Sequence, residues 1–211
     1  MRPRHGPREA ALSPEDWDTR YAGRELVWSA RPNAFVVAEV ERLAPTPGRA
    51  LDLGAGEGRN AVWLAERGWA VTATDFSPVG LDKARALAEA RGVELTLVEA
   101  DATQPAPGPA PFDLVVVAYL QLPAAALEAA LGHAAAAVAP GGTLIAVGHD
   151  ADNLARGHGG PPDPAVLWSA EQVAAALDGL TVERAGQVTR EVATDDGPRQ
   201  AIDTLVTAHR R

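Results

Sequence analysis

The chain has 211 residues, 46% of them hydrophobic and 22% charged, with no cysteine and a formal net charge of −9. This balance disfavours a nucleic-acid partner, because such proteins usually present a basic face, and no arginine and lysine cluster with interleaved aromatic residues occurs here. The missing cysteines exclude disulfides and thiolate metal sites, and the lack of a signal-peptide core or of an apolar run of about 20 residues predicts a cytoplasmic protein without a membrane partner.

The N-terminal part divides into a tail and a helical region. Residues 1–13 are rich in arginine and proline without periodicity, which predicts a disordered tail. Residues 14–211 are expected to form a single domain, in which 14–46 make a helical lid and Asn33 caps the helix that runs through residue 43. Trp17, Tyr21 and Trp28 lie in this lid, where they either bind a flat substrate or pack the lid against the sheet.

A glycine-rich turn follows the first predicted strand. Residues 50–53 form a short apolar strand, 54–58 contain three glycines, and 61–65 are expected to be helical. Such units bind nucleotides, because glycine lets a ligand approach the backbone and the helix presents free N–H groups. A pyrophosphate cofactor such as NAD would need the third glycine one residue later and would be repelled by Asp52 and Glu57. The two acids favour a ligand with cationic groups, such as S-adenosylmethionine (SAM).

Acids also end the next two predicted strands. The strand at 69–74 delivers Asp75, where a carboxylate accepts hydrogen bonds from both ribose hydroxyls of an adenosine. The alternative role for Asp75 is to cap the next helix, which Ser77 serves better. The strand at 94–98 leads to Asp101, which is placed to bind the adenine amino group. Together with Asp52, these acids predict one ligand site at the edge of the sheet.

The fourth and fifth predicted strands, at 112–117 and 143–147, lead toward the substrate. Tyr119 and Gln121 directly follow the fourth strand and are assigned to substrate binding, although either also fits a solvent-facing loop. His149 leaves the fifth strand and is assigned as a general base, because imidazole titrates near neutral pH. A structural histidine held by hydrogen bonds is the alternative.

The loop at 150–166 contains further polar residues. Asn153 is assigned to substrate binding. Asp150, Asp152 and His158 are possible metal ligands by residue type, but their spacing is not diagnostic, and no metal site is predicted.

The chain ends in a predicted hairpin, with strands at 180–193 and 200–209 and a turn signal at 194–198. Centring the turn on Asp196 and Gly197 pairs residues whose numbers sum to 393. Arg190 is then expected to face Asp203 in a cross-strand ion pair. Five strands with helical crossovers and a terminal hairpin predict an α/β fold, a doubly wound sheet with helices on both faces.

Five motifs follow one another along the chain from about residue 50 onward. They are the turn at 54–58, Asp75, Asp101 with Ala102, the strand at 112–117 and the Pro-Gly-Gly at 140–142. In these motifs the chain resembles the class I SAM-dependent methyltransferases. Residues 58–60, followed by 63–68, resemble the branch of tellurite-resistance and thiopurine-type enzymes and of small bacterial enzymes that methylate heterocyclic toxins.

This resemblance implies a Rossmann-like seven-stranded sheet of order 3-2-1-4-5-7-6 with strand 7 antiparallel. It also implies that Asp75 binds the ribose, that Asp101 and Ala102 bind the adenine, and that the turn holds the methionyl end. The predicted cofactor site comprises Asp52, Gly54, Ala55, Gly56, Asn60, Asp75, Phe76, Asp101, Ala102 and Ala118.

These observations predict a SAM-dependent methyltransferase that modifies an N, O, S or other chalcogen atom of a small molecule, in detoxification or secondary metabolism, as a monomer or homodimer. An NAD(P)-binding oxidoreductase or a non-catalytic nucleotide sensor is the alternative. Such oxidoreductases usually use a catalytic tyrosine and lysine, and the single lysine, Lys83, is predicted to lie in a helix far from such a partner.

Overall fold

The computed structural model describes residues 14–23, 26, 30–106, 111–194 and 196–211. The predicted tail at 1–13 and the predicted substrate residue Trp28 lie outside the described residues. The helices are α1 (Pro14–Tyr21), α2 (Ala34–Leu43), α3 (Arg59–Ala65), α4 (Pro78–Arg91), α5 (Ala124–Ala136), α6 (Asn153–Arg156) and α7 (Ala170–Ala175). The strands are β1 (Arg49–Leu53), β2 (Ala70–Asp75), β3 (Thr96–Glu99), β4 (Phe112–Ala118), β5 (Val138–His149), β6 (Thr181–Val192) and β7 (Arg199–His209).

The seven strands form one sheet in the order β3-β2-β1-β4-β5-β7-β6. The first five positions pair in parallel, and β7 runs antiparallel to both β5 and β6. The predicted fold class and strand order are therefore confirmed. In a parallel sheet of this kind the C-terminal strand ends meet at one edge, which is where ligands bind.

The central strand β4 is buried on both faces. Val115 and Val117 pack into an apolar cluster with α5 and α7, while Leu114 and Val116 pack into a second cluster with α2 and α3. This alternation follows from the two-residue period of a strand and explains the nearly continuous apolar sequence of β4. The sheet thus carries helices on both faces.

Two predicted helix caps are confirmed. The Asn33 side chain accepts hydrogen bonds from the backbone N–H groups of Phe35 and Val36 at the start of α2. Its own backbone N–H donates to Oδ1 of Asn60 at 2.8 Å, which ties the start of α2 to the start of α3. At α4 the cap is Ser77, whose Oγ accepts from the backbone N–H of Gly80 at 3.0 Å.

The predicted hairpin register is wrong, because the numbers of opposed residues add up to two less than predicted. Arg190 opposes Ala201, and Asp203 opposes Val188. The reason lies in the turn, where the backbone N–H of Gly197 donates to the carbonyl of Thr194 at 3.0 Å. This bond centres the turn one residue earlier than Asp196 and Gly197, and every opposed pair shifts accordingly.

Two other boundaries differ from expectation. Strand β5 begins at Val138 rather than 143, because Val138 already pairs with Phe112 before a register shift in the ladder with β4. The loop predicted at 150–166 contains α6 and a 3₁₀ turn at Pro164–Val166. None of the helices in the described part of the chain is long and apolar enough to cross a membrane.

Candidate active site

Two adjoining cavities lie at the C-terminal ends of the parallel strands, beneath α1. The larger has a volume of about 260 Å³, and its lining comprises Trp17, Tyr21, Leu26, Pro32, Asn33, Ala34, Gly54, Ala55, Gly56, Glu57, Arg59, Asn60, Leu87, Ala118, Tyr119, His149 and Arg190. The smaller, of about 40 Å³, is lined by Trp17, Tyr21, Gly54, Asp75, Phe76, Tyr119, Leu120, Gln121 and Leu122. The four shared residues place the two cavities side by side along the glycine turn.

The glycine turn has no room for side chains at its two central positions. Gly54 and Gly56 have φ angles of +71° and +54°, a region that favours glycine. A Cβ at Gly56 would lie 2.7 Å from Oη of Tyr21, and one at Gly54 would lie 2.8 Å from a methyl carbon of Leu120. The bare backbone of the turn therefore forms part of the cavity wall, as its sequence predicts.

Asp75 closes the turn from the neighbouring strand. Its Oδ2 accepts a hydrogen bond from the backbone N–H of Gly56 at 2.8 Å, and Oδ1 accepts from that of Ser77 at 2.9 Å. Burial raises the pKa of this carboxyl, while the N–H groups of Ser77 and Gly56 act in the opposite direction. Asp75 and Phe76, both predicted to bind the cofactor, line the smaller cavity next to the glycine turn.

Asp52 lies buried next to the turn, at the end of β1. Its Oδ2 has no hydrogen-bond partner among the described residues. Burial raises the pKa of Asp52 to about 7, although the backbone N–H of Ala61 and the charge of Arg59 both act to lower it. Asp52 is not among the described residues that line either cavity, so the structure does not bring this predicted cofactor residue to the cavity wall.

The helix α1 covers the cavities. Trp17 and Tyr21 are stacked, with ring centroids 5.5 Å apart, and both side chains are buried. Asp18 anchors the helix, since its Oδ1 accepts a hydrogen bond from Oγ of Ser77 at the start of α4. The two aromatic residues therefore pack the helix onto the domain, as one of the two alternatives predicted, and they also line the cavity.

The buried carboxylate of Asp203 contacts three residues that line the larger cavity. Its Oδ2 accepts hydrogen bonds from Oη of Tyr119 at 2.8 Å and from Nε of Arg190 at 2.7 Å. Its Oδ1 lies 3.3 Å from Nδ1 of His149, which is its register partner across β5 and β7. The predicted ion pair of Arg190 with Asp203 is thus confirmed, but as a diagonal contact. Asp203 does not itself line the cavity, whereas its three neighbours do.

The electrostatics of this group keep Asp203 ionised and Tyr119 neutral. Burial of Asp203 would raise its pKa, but the close contact with His149 and the charge of Arg190 outweigh it, and the pKa lies below the ordinary value. Burial, followed by the charge of Asp203, raises the pKa of Tyr119 to about 12. Tyr119 is therefore a hydrogen-bond donor and not a base near neutral pH.

Tyr119 also has an unusual backbone. Its φ is +56°, a left-handed conformation that bulky residues adopt rarely, and its N–H donates to the carbonyl of Val147 at 2.7 Å. Such strain persists only where the surroundings hold it, and it concentrates at functional sites. This conformation places the phenol behind the cavity, on Asp203.

Several lining residues were missed by the sequence analysis. Arg59 follows the last glycine of the turn, so its position in the motif was a signal that could have identified it; burial lowers its pKa. Arg190 was predicted only as a hairpin ion pair, and no local motif marks it. Glu57, which we expected to attract a cationic ligand, lies with Oε1 3.0 Å from Nζ of Lys83 and is largely neutralised by it.

Other predicted site residues lie outside both cavities. Asp101 is exposed, and its Oδ1 accepts hydrogen bonds from the backbone and hydroxyl of Thr103, while Ala102 is buried in the core cluster next to α5. The assignment of Asn153 to the substrate needs correction. Its Oδ1 accepts from the backbone N–H of Ile202 and its Nδ2 donates to the carbonyl of Gly159, both at 2.7 Å, so its amide is used to join α6 to β7 and the loop.

Comparison with known proteins supports one family. Residues 50–142 match the family model described as methyltransferase domain. A demethylmenaquinone methyltransferase of Thermus thermophilus is 44% identical over 126 residues, which cover 58% of this chain and 54% of that protein. The chain spans about half or less of the length of the curated relatives it matches.

Solved structures share the fold. A protein from work on the conversion of a disulfide bond into a thioacetal group during echinomycin biosynthesis has a TM-score of 0.75 at 24% identity, covering 93% of this chain and 91% of that one. The 1,6-didemethyltoxoflavin-N1-methyltransferase of Burkholderia thailandensis, solved with its substrate and S-adenosylhomocysteine, has a TM-score of 0.67 at 21% identity, covering 93% and 86%. Residues 50–142 thus match a methyltransferase domain, and the chain shares its fold with these solved structures.

Proposed function

We propose that this protein transfers a methyl group from SAM to a small-molecule acceptor. The observation that carries the proposal is the pair of adjoining cavities, which connects the glycine turn and Asp75 to the polar group around Asp203. A donor bound along the turn and an acceptor bound next to His149 would meet inside one enclosed space. Proximity and exclusion of water would then supply much of the rate enhancement.

The residues present fit SAM at the turn. The bare backbone at Gly54 and Gly56 leaves room for the ligand chain, and Asp75 lies in the smaller cavity with a carboxylate suited to two ribose hydroxyls. When bound, SAM supplies a methyl group made electrophilic by the attached sulfonium.

The acceptor side is lined by aromatic and polar groups. Trp17 and Tyr21 provide stacked rings on one wall, which suits a flat acceptor. His149 and Arg190 provide polar contacts on another wall. The similar proteins include a demethylmenaquinone, a trans-aconitate and a didemethyltoxoflavin methyltransferase, and these names support a small-molecule acceptor. The acceptor atom, a role in detoxification or secondary metabolism, a monomeric or homodimeric state and a cytoplasmic location stay predictions.

Calorimetry with purified protein tests the cofactor directly. We expect SAM and S-adenosylhomocysteine to bind with micromolar dissociation constants, about −8 kcal/mol, and NAD not to bind. Mass spectrometry of the purified protein provides a second readout, since a co-purified adenosine ligand would be identified by its mass. Binding of NAD, or failure to bind SAM, would contradict the proposal.

A further inference from the structure

We propose that Asp203 is a positioning residue that holds His149 as the general base, and that the acceptors of this enzyme carry a weakly acidic proton on the atom that is methylated. This inference rests on the proposed function and deepens it. Phenols, enols and ring N–H groups belong to the class of acceptor that it names. Thioethers and tertiary amines do not, because their nucleophilic atom has no proton to lose.

The ring of His149 is oriented by the groups that enclose its Nδ1 side. Nδ1 of His149 and Oδ1 of Asp203 are both buried, both lack a hydrogen-bond partner within the described part of the chain, and lie 3.3 Å apart. Catalytic hydrogen bonds are often long before a ligand binds, so a small rotation suffices to join them. A Cβ at Gly160 would lie 3.1 Å from the same Nδ1, so the loop backbone also encloses this side of the ring. Nε2 is therefore the nitrogen left for a ligand in the cavity.

The charge of Asp203 favours one tautomer of His149. The carboxylate is fully buried, and its other oxygen accepts hydrogen bonds from Tyr119 and Arg190. Both neighbours are donors, so Asp203 stays an acceptor toward His149. An ionised carboxylate next to Nδ1 favours the tautomer with the proton on Nδ1, which leaves the lone pair on Nε2.

Four other ionisable residues that line the same cavity are unsuited to act as the base, namely Tyr119, Arg59, Arg190 and Glu57. Tyr119 is held protonated, because burial and the charge of Asp203 raise its pKa to about 12. Arg59 and Arg190 are cations, and Glu57 is paired with Lys83. Of these lining groups, His149 alone offers an imidazole nitrogen whose lone pair can take a proton from an acceptor.

The chemistry then balances. The proton leaves the acceptor atom for Nε2 of His149, the freed electron pair forms the bond to the methyl carbon, and the electrons of the broken carbon–sulfur bond stay on sulfur. The products are the methylated acceptor and S-adenosylhomocysteine, and the proton on His149 passes to solvent after release. Asp203 stabilises the imidazolium that forms, without itself becoming protonated.

Nitrogen-15 NMR of histidine-labelled protein tests the positioning role without any turnover. We expect the neutral ring of His149, assigned by the loss of its signals in His149→Gln, to carry its proton on Nδ1. In Asp203→Asn the amide oxygen should remain with the donors Tyr119 and Arg190, which turns the amide NH₂ toward Nδ1. The proton should then move to Nε2. A wild-type ring protonated on Nε2, or an unchanged tautomer in folded Asp203→Asn, would overturn the inference.

A matched control comes from the adjacent residue in β7. Thr204 is equally buried, and its hydroxyl donates to Oδ2 of Asp150 at 2.6 Å rather than to Asp203. Thr204→Val should lose stability but leave the His149 tautomer unchanged. If Asp203→Asn does not fold, the wild-type spectrum together with Tyr119→Phe, which keeps the Asp203 and His149 pair, decides the question. Both should show the Nδ1 proton, and a proton on Nε2 in either would overturn the inference.

Methyl transfer to chosen probes tests the acceptor class. With SAM as donor, 4-nitrophenol and other acidic probes should be methylated, and Asp203→Asn should lower their rate at least about tenfold with SAM affinity unchanged. Trimethylamine and dimethyl sulfide should not be accepted. Methylation of these two with the acidic probes untouched would overturn the acceptor class. Loss of SAM binding in the wild-type protein would instead refute the proposed function, and the tautomer result would still stand on its own.

Discussion

The two halves of the site are built in different ways. On the cofactor side, the glycine turn directly follows β1 and Asp75 is the last residue of β2, and they meet because β1 and β2 are parallel neighbours. On the acceptor side, His149, Arg190 and Asp203 come from β5, β6 and β7, and they meet through antiparallel pairing late in the chain. A site made of strand ends can therefore be identified from sequence motifs. A site made of cross-strand neighbours can be identified only when the register of the strands is known.

The buried carboxylates of the two halves also differ in the direction of their pKa shifts. Asp52 on the cofactor side has an oxygen without a partner among the described residues, and its pKa is raised to about 7. Asp203 on the acceptor side is surrounded by Tyr119, His149 and Arg190, and its pKa is lowered. Each carboxylate has one oxygen without a hydrogen-bond partner among the described residues, but the other oxygen of Asp203 accepts from both Tyr119 and Arg190, which helps to keep Asp203 ionised.

A substitution of His149 should lower the methyl-transfer rate without changing SAM affinity, and this is the strongest effect that we expect. His149→Gln should lower the methyl-transfer rate by about 10²- to 10⁴-fold, because a general base typically contributes that much. The SAM dissociation constant should stay within about twofold of wild type, measured by calorimetry, since His149 lies on the acceptor side. His133→Gln in α5, outside both cavities, serves as the matched control. Equal losses of rate and SAM affinity would mean that the two halves do not act separately.

The next effect is on stability as a function of pH. The pKa of Asp52 is raised by burial from 3.8 to about 7 in the folded protein. The contribution of Asp52 to the free energy of unfolding is fully present below about pH 4 and is lost as the pH rises through 7. The total loss is roughly 4 kcal/mol, at about 1.4 kcal/mol per pKa unit. Denaturant titrations from pH 4 to 8 should show this loss in wild type relative to Asp52→Asn.

Asp203 should behave in the opposite way. Its pKa is lowered in the folded state, so its contribution is present above its ordinary value and is lost as the pH falls through the lowered one. Asp203→Asn should therefore cost stability at neutral pH and less in acid. The same sign for both carboxylates would contradict the contrast between the two halves.

The third prediction separates two acids that the sequence placed in one site. Asp75→Ala should weaken SAM binding by about 2–4 kcal/mol, because two ribose hydroxyls lose a charged acceptor. Asp101→Ala should cost much less, since that side chain is exposed and already engaged with Thr103. Calorimetry on both variants, after a check of folding by circular dichroism, decides between them. Normal SAM binding by Asp75→Ala would contradict the assignment.

The smallest expected effect tests the correction at Asn153. Asn153→Ala should lower the free energy of unfolding by roughly 1–3 kcal/mol, because the backbone groups of Ile202 and Gly159 each lose a partner. With folded protein at low temperature, the KM for the acceptor should not change. A rise in KM without loss of stability would restore Asn153 to the substrate site.

The errors of the sequence analysis have physical causes. The turn centre at 194–197 differs by one residue from the Asp-Gly signal, and a shift of one residue in a turn changes every opposed pair in the hairpin. Asn153 has the residue type of a ligand, but the backbone groups it satisfies belong to residues 49 and 6 positions away. Asp101 follows its strand as predicted, yet a hydrogen bond to Thr103 keeps one carboxylate oxygen occupied locally.

From the sequence, the strand order, the glycine turn and the position of Asp75 beside it could be predicted. Apolar strands, glycines at positive φ, helix caps and acids at strand ends are local features, and parallel pairing brings their ends together without further information. The tertiary structure alone decided that Asp203 joins Tyr119, His149 and Arg190, and that α1 covers the cavity with Trp17 and Tyr21. These contacts depend on antiparallel register and helix packing, which join residues distant in the chain and leave no local motif.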